Sequence, residues 1–101
     1  MISDVQKKGS FYETLDLNNK TISYINASVI GEFLGFNSNY IICLKGSFIT
    51  TYDKNFKRIA DINKTVVGEF RNATGNNMNF QKGSFITTYD EKFKKISERR
   101  A

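Results

Sequence analysis

The nonapeptide Lys45-Gly46-Ser47-Phe48-Ile49-Thr50-Thr51-Tyr52-Asp53 occurs twice in this chain, returning unchanged as Lys82 to Asp90, 37 residues on. The echo continues past it: Phe56 returns as Phe93, Lys57 as Lys94 and Ile59 as Ile96. Another 37 residues back stand Lys8-Gly9-Ser10-Phe11, then Thr14, Asp16, Lys20 and Ile22. A gapless repeat constrains the fold more than any other feature. Each unit is too small to bury its own apolar face, so neighbouring copies must cover one another. The chain divides into a polar lead-in at 1–7 and repeats at 8–44, 45–81 and 82–101, two and a half copies within one 101-residue domain.

The local pattern predicts strands. Ser47 to Tyr52 is rich in β-branched and aromatic residues. Alternation puts Phe48, Thr50 and Tyr52 on one face and Ile49 and Thr51 on the other. Asp53-Lys54-Asn55 reads as a turn, because an aspartate at the first turn position accepts a hydrogen bond from the backbone N–H two residues on. Asp16 and Asp90 recur at the same place. Phe56 to Ala60 is the returning strand of this hairpin A. Val66 to Phe70, a loop at Asn72 to Asn76 and a strand at Met78 to Phe80 form a hairpin B, echoed by Val29 to Phe33 and Ile41 to Cys43. The expected fold is therefore all-β, an antiparallel hairpin repeat of order A-B-A-B-A with about ten short strands. Glycines recurring in the pattern, Gly9, Gly46 and Gly83 opening a strand and Gly31 and Gly68 interrupting one, read as bulges, bends or close backbone approaches and predict a coiled or closed sheet. The repeated phenylalanines Phe11, Phe48 and Phe85 are expected in the core. The final half-repeat is expected to leave a free edge that a second copy of the chain covers, giving a homodimer through sheet edges.

Composition narrows the function. The chain has no His, which removes the commonest general base and metal ligand. Its one cysteine, Cys43, sits in the apolar run Tyr40 to Leu44 and reads as a buried thiol. There is no phosphate-binding glycine loop and no cysteine pair for zinc. Glu32 and Glu69 recur between Gly and Phe and read as solvent-facing or ion-paired strand residues. No catalytic residue, metal or cofactor is expected. The N-terminus lacks an apolar signal core and no run reaches membrane-spanning length, so the expected location is cytoplasmic, without membrane association. The four Asn-x-Ser/Thr sites at Asn19, Asn26, Asn63 and Asn72 read as turn asparagines.

Charge carries the functional expectation. Net charge is +5, and all of the excess lies in residues 45–101. Lys8, Lys45 and Lys82 place one lysine per repeat at one position, and Lys57, Lys94, Arg58 and Lys95 extend a second series. Such arrays suit an acidic protein or nucleic acid. The leading expectation is a non-enzymatic module that self-associates and presents this basic surface to an acidic partner. One alternative is a lectin-like module using Tyr52, Tyr89, Thr50 and Thr87, since an aromatic ring beside hydroxyls suits sugars. The other is a purely structural assembly module.

Overall fold

Two turn chemistries set nearly every strand boundary, and the computed structural model describes them across residues 1–101. The first three strands are β1 (Asp4–Lys8), β2 (Phe11–Leu15) and β3 (Thr21–Asn26), followed by a short helix α1 (Ala27–Ile30). Next come β4 (Glu32–Phe36), β5 (Ile41–Lys45), β6 (Phe48–Tyr52) and β7 (Arg58–Asn63), then α2 (Lys64–Val67). The chain closes with β8 (Glu69–Thr74), β9 (Asn77–Lys82), β10 (Phe85–Tyr89) and β11 (Lys95–Arg100). All pairing is antiparallel between sequence neighbours, in three open sheets: β1-β2-β3, β4-β5-β6-β7 and β8-β9-β10-β11. No helix is long and apolar enough to cross a membrane.

At one end of the strands lie two-residue hairpin loops. Lys8 pairs with Phe11, Lys45 with Phe48 and Lys82 with Phe85, leaving Gly-Ser between them. Their glycines have φ of +62°, +63° and +60°. Glycine at the first central position is the signature of a type II′ hairpin turn. These glycines therefore reverse the chain; they do not bend a strand, as the sequence pattern had suggested.

The aspartate turns lie at the other end and form as expected. Asp16, Asp53 and Asp90 each accept, through Oδ1, the N–H two residues on and the N–H four residues on. These bonds favour the carboxylate, and the amides of Lys20 and Asn18 hold the Asp16 carboxyl below its ordinary range. The residue between the two donors has positive φ in all three turns: Asn19, Phe56 and Phe93.

Three features depart from the sequence expectation. The strands number eleven, because β1, which takes in residues 4–7 of the lead-in and Lys8, pairs with β2. Val29-Ile30 and Val66-Val67 are helical, so strands β4 and β8 begin only at Glu32 and Glu69. And the sheet neither coils nor closes: it divides into three. The helical turns are the cause. Asn26 and Asn63 cap them by accepting the N–H of Ser28 and Thr65. Gly31 and Gly68 end them at φ +77° and +86°, where any β-carbon would strike the carbonyl oxygen of Leu44 or Gln81. The chain thus leaves one sheet and enters the next.

The sheets share two apolar layers, and the middle sheet faces both. Ile41 and Cys43 pack with Ile2, Ile30 and Phe56 against the first sheet. Tyr40, Ile42 and Ile49 pack with Val67, Met78, Phe80 and Phe93 against the third. This explains the unbroken apolar run of β5, which is covered on both faces. Phe56 and Phe93, at the positive-φ turn position, reach back into the layer before their own sheet. Asn19, which precedes any such layer, is exposed. A hydroxyl ties each layer as well: Thr14 Oγ1 donates to the Lys54 carbonyl (2.8 Å) and Thr51 Oγ1 to that of Glu91 (2.6 Å).

The outward face of the third sheet is polar where the middle sheet is apolar. Asn77, Asn79 and Gln81 stand 37 residues after Tyr40, Ile42 and Leu44. Asn79 is held by Asn72 and Thr88. The energetic contrast is testable by urea unfolding. Ile42→Ala, which empties a dry layer, should cost roughly 2–5 kcal/mol. Asn79→Ala, at the matching position one sheet on, should cost no more than about 1.5 kcal/mol, the net worth of a typical hydrogen bond.

Candidate partner-binding surface

The Gly-Ser hairpins gather one set of the candidate lysines. Lys8, Lys45 and Lys82 are the last residues of β1, β5 and β9, and each stands directly across from a phenylalanine that opens the next strand. Paired residues point to one face, so every sheet carries a Lys–Phe couple at its rim. Phe11, Phe48 and Phe85 are 41%, 49% and 41% exposed, not buried as expected. They lie at the outermost register position, where the layers no longer cover them; Cys43, two residues inward from Lys45, is fully buried.

The two helices close the same rim. The Ala27 N–H donates to the Ser10 carbonyl and the Lys64 N–H to that of Ser47. Val29 and Val66, both about half exposed, add apolar surface between the loops. Lys45 Nζ donates to the Val29 carbonyl at 3.1 Å, linking hairpin to helix. At the first sheet, Phe11 meets Tyr24 edge-on, with centroids 5.8 Å apart. Both line a shallow cavity of about 350 Å³ with Lys8 and Glu13. At the third sheet, the Arg100 guanidinium lies over Phe85, 5.8 Å from the ring centroid. The rim is not purely basic. Glu32 and Glu69 open β4 and β8 there, and Glu69 pairs with Lys64 at 3.3 Å.

The remaining basic candidates lie elsewhere. Lys57 and Lys94 sit in the aspartate turns at the opposite end of the strands, a strand length of about 17 Å away. Arg58 and Lys95 follow them and pair with Asp61 (3.2 Å) and Glu98 (3.3 Å). The seven predicted basic residues therefore form two separate rims, of which only Lys8, Lys45 and Lys82 adjoin exposed aromatic surface.

The alternative small-ligand set splits into two buried threonines and two partly buried tyrosines. Thr50 and Thr87 are buried. Tyr52 packs in the layer of Ile41 and Cys43, and burial raises its hydroxyl pKa. Tyr89 packs edge-on against Phe80 and Phe93. Cys43 is free and wholly buried, which pushes its thiol up to about 12. No cluster of three or more His, Cys, Asp or Glu side chains forms a metal site.

Sequence reasoning missed the three phenylalanines, Val29, Val66, Tyr24 and Arg100 as surface residues. The available signal was Lys-Gly-Ser-Phe itself: read as a two-residue hairpin, it puts both the lysine and the phenylalanine at a rim. No protein-family model, no curated protein and no solved structure matches the chain significantly.

Two measurements check this geometry. Phe93→Ala should cost about 3–5 kcal/mol, as a buried ring, whereas Phe48→Ala should cost less than about 2 kcal/mol because half its surface is already wet. Cys43, protonated throughout the neutral range and shielded, should resist a thiol-specific disulfide reagent at pH 8 until denaturant is added.

Proposed function

We propose that the protein is a non-enzymatic binding and assembly module that presents a repeated basic surface to an acidic partner. We read its three sheets as stacked copies of one unit, acting in the cytoplasm. The observation that carries this reading is the rim: Lys8, Lys45 and Lys82 hold one register position in three successive sheets, each beside an exposed ring. Repetition at fixed spacing suits a partner that is itself a charged polymer, because each contact adds to the last.

Self-association is the second half of the proposal, and the first sheet supplies its support. It has three strands where the others have four, and β1 is an edge. Two β1 edges meeting about a two-fold axis through Gln6 set Asp4 of each chain opposite Lys8 of the other, a favourable cross-strand pair. This differs from the edge expected at the C-terminal half-repeat, since β10 and β11 complete a four-stranded sheet with β8 and β9.

A small-ligand reading keeps one observation in its favour, away from the expected residues. A groove of about 480 Å³ opens between the second and third sheets, lined by Asn39, Tyr40, Ile59, Asn76 and Glu91. The residue 37 positions before Asn39 is Ile2, which is buried in the layer between the first and second sheets.

The test of the main reading is polyanion binding followed across a salt series. Affinity for an anionic polymer, whether oligonucleotide or polyglutamate, should fall steeply with salt, and Lys82→Glu should weaken it. Salt-insensitive binding, or no binding to either polymer, would defeat the proposal. Light scattering behind a sizing column should give a dimer mass at low and high salt; a monomer at both would remove the self-association half alone.

A further inference from the structure

Resting on that basic-surface reading, we propose that the Lys–Phe rim is a single-stranded nucleic-acid platform, with Phe11, Phe48 and Phe85 stacking unpaired bases and Lys8, Lys45 and Lys82 meeting the phosphates between them. Lysines alone would serve any polyanion. The rings are what choose among polyanions. A large apolar side chain left in water gains free energy when a partner covers it, and here three recur beside three cations. An acidic peptide brings carboxylates for the lysines but nothing planar for the rings. A nucleobase has an apolar face whatever its identity, so a row of aromatic residues beside a basic track binds single strands with little sequence preference.

The spacing excludes a duplex. Stacked sheets lie about 10 Å apart, so successive rim phenylalanines are separated by roughly that distance. Bases in a duplex strand advance only about 3.4 Å and their faces are already covered by one another. Rings this far apart reach base faces only on an extended, unstacked strand running along the stack of sheets. The flanking groups fit the same chemistry. Arg100 lies over one face of the Phe85 ring, which leaves the other face for a base and puts a guanidinium beside it for the phosphate. Tyr24, edge-on to Phe11 and 66% exposed, adds a second exposed ring at the first sheet, set across the first. Glu13, beside Lys8 and Phe11, and Glu32 and Glu69 repel phosphate. The Lys64 ammonium beside Glu69 offsets one of them, and Lys8, Lys45, Lys82, Arg99 and Arg100 leave the rim basic.

The test uses the full chain and fluorescence anisotropy with a labelled oligothymidylate, a duplex of the same length, a polyglutamate peptide and anionic phosphatidylserine vesicles. The expected result is preference for the single strand. Phe48→Ala should weaken that binding by roughly 5- to 100-fold, the worth of one stacked base, with the salt slope unchanged. Lys82→Gln should weaken it and lower the log–log salt slope by about 0.7, the signature of one lost phosphate contact on a single strand. Phe48→Trp guards against loss of fold: it should bind at least as tightly as the parent, and the oligothymidylate should quench its emission. Wild-type affinity in Phe48→Ala, no quenching in Phe48→Trp, or equal binding to duplex would overturn the platform. Preference for polyglutamate over the oligonucleotide would overturn it too and leave the basic-surface reading standing, whereas binding to the vesicles and to neither polymer would overturn both. If nothing anionic binds, both fall.

Discussion

The middle sheet is covered on both faces, and the remaining structure follows from how that burial is achieved. An antiparallel sheet of five-residue strands has too little surface to stabilise itself. Here β5 and the residue before it contribute to two dry layers at once, with Ile41 and Cys43 on one side and Tyr40 and Ile42 on the other. Each layer is then sealed at its turn end by a ring from the sheet that follows. Phe56 and Phe93 do this from a positive-φ backbone position that costs free energy for a bulky residue. The aspartate turn holds that position, with the side chain and carbonyl of Asp53 or Asp90 accepting three backbone N–H groups. The donation of Thr51 Oγ1 to the Glu91 carbonyl adds a polar tie between sheets at the same place. Turn chemistry and core packing are therefore one device: the carboxylate fixes the backbone, and the backbone aims the ring.

That coupling explains why part of the fold was legible in the sequence and part was not. The aspartate turns were legible because their signal is local: a carboxylate reads amides two and four residues on. The strands were legible from alternation and β-branched residues. The division into sheets was not. It depends on Ala27–Ile30 and Lys64–Val67, single helical turns too short to show a helical period and rich in valine and isoleucine, which argue for strand. A repeat of fixed length also gives the same arithmetic whether its copies join edge to edge in one coiled sheet or stack face to face. The deciding contacts, such as Phe93 with Ile42 and Phe80, join residues of different copies, where no local rule reaches. The candidate site failed in the same way. A phenylalanine recurring in every copy resembles core, and only its place beside a two-residue loop shows that it is rim.

The drift of the first copy has a physical reading in this arrangement. Asp4 and Gln6 stand 37 residues before Ile41 and Cys43, and Asn19 before Phe56. At these positions the first sheet has no earlier layer to fill, and polar groups remain wet. The third sheet mirrors this on its outward face with Asn77, Asn79 and Gln81. A face that no further sheet covers stays polar because water, not a packed layer, meets it. Divergence between copies thus follows what each copy faces.

The same logic isolates the one surface that packing leaves unexplained. Inner faces are spent on the layers and outer faces are polar. Edge strand β11, Lys-Ile-Ser-Glu-Arg-Arg, is exposed at every residue and charged at four of six, the pattern that discourages sheet-to-sheet aggregation. The aspartate turns satisfy their own polar groups. At the hairpin rim alone do large apolar side chains stay exposed in series, Phe11, Val29, Phe48, Val66 and Phe85, beside a lysine in each sheet, of which only Lys45 has a hydrogen-bond partner, the Val29 carbonyl. The hairpin itself asks only for the Gly that takes positive φ. Its flanking positions are free to vary, yet Lys and Phe flank it in all three copies. A residue pair that neither the turn nor the core requires points to what it meets outside the chain, and on the proposal made above the ring would meet a base and the cation its phosphate.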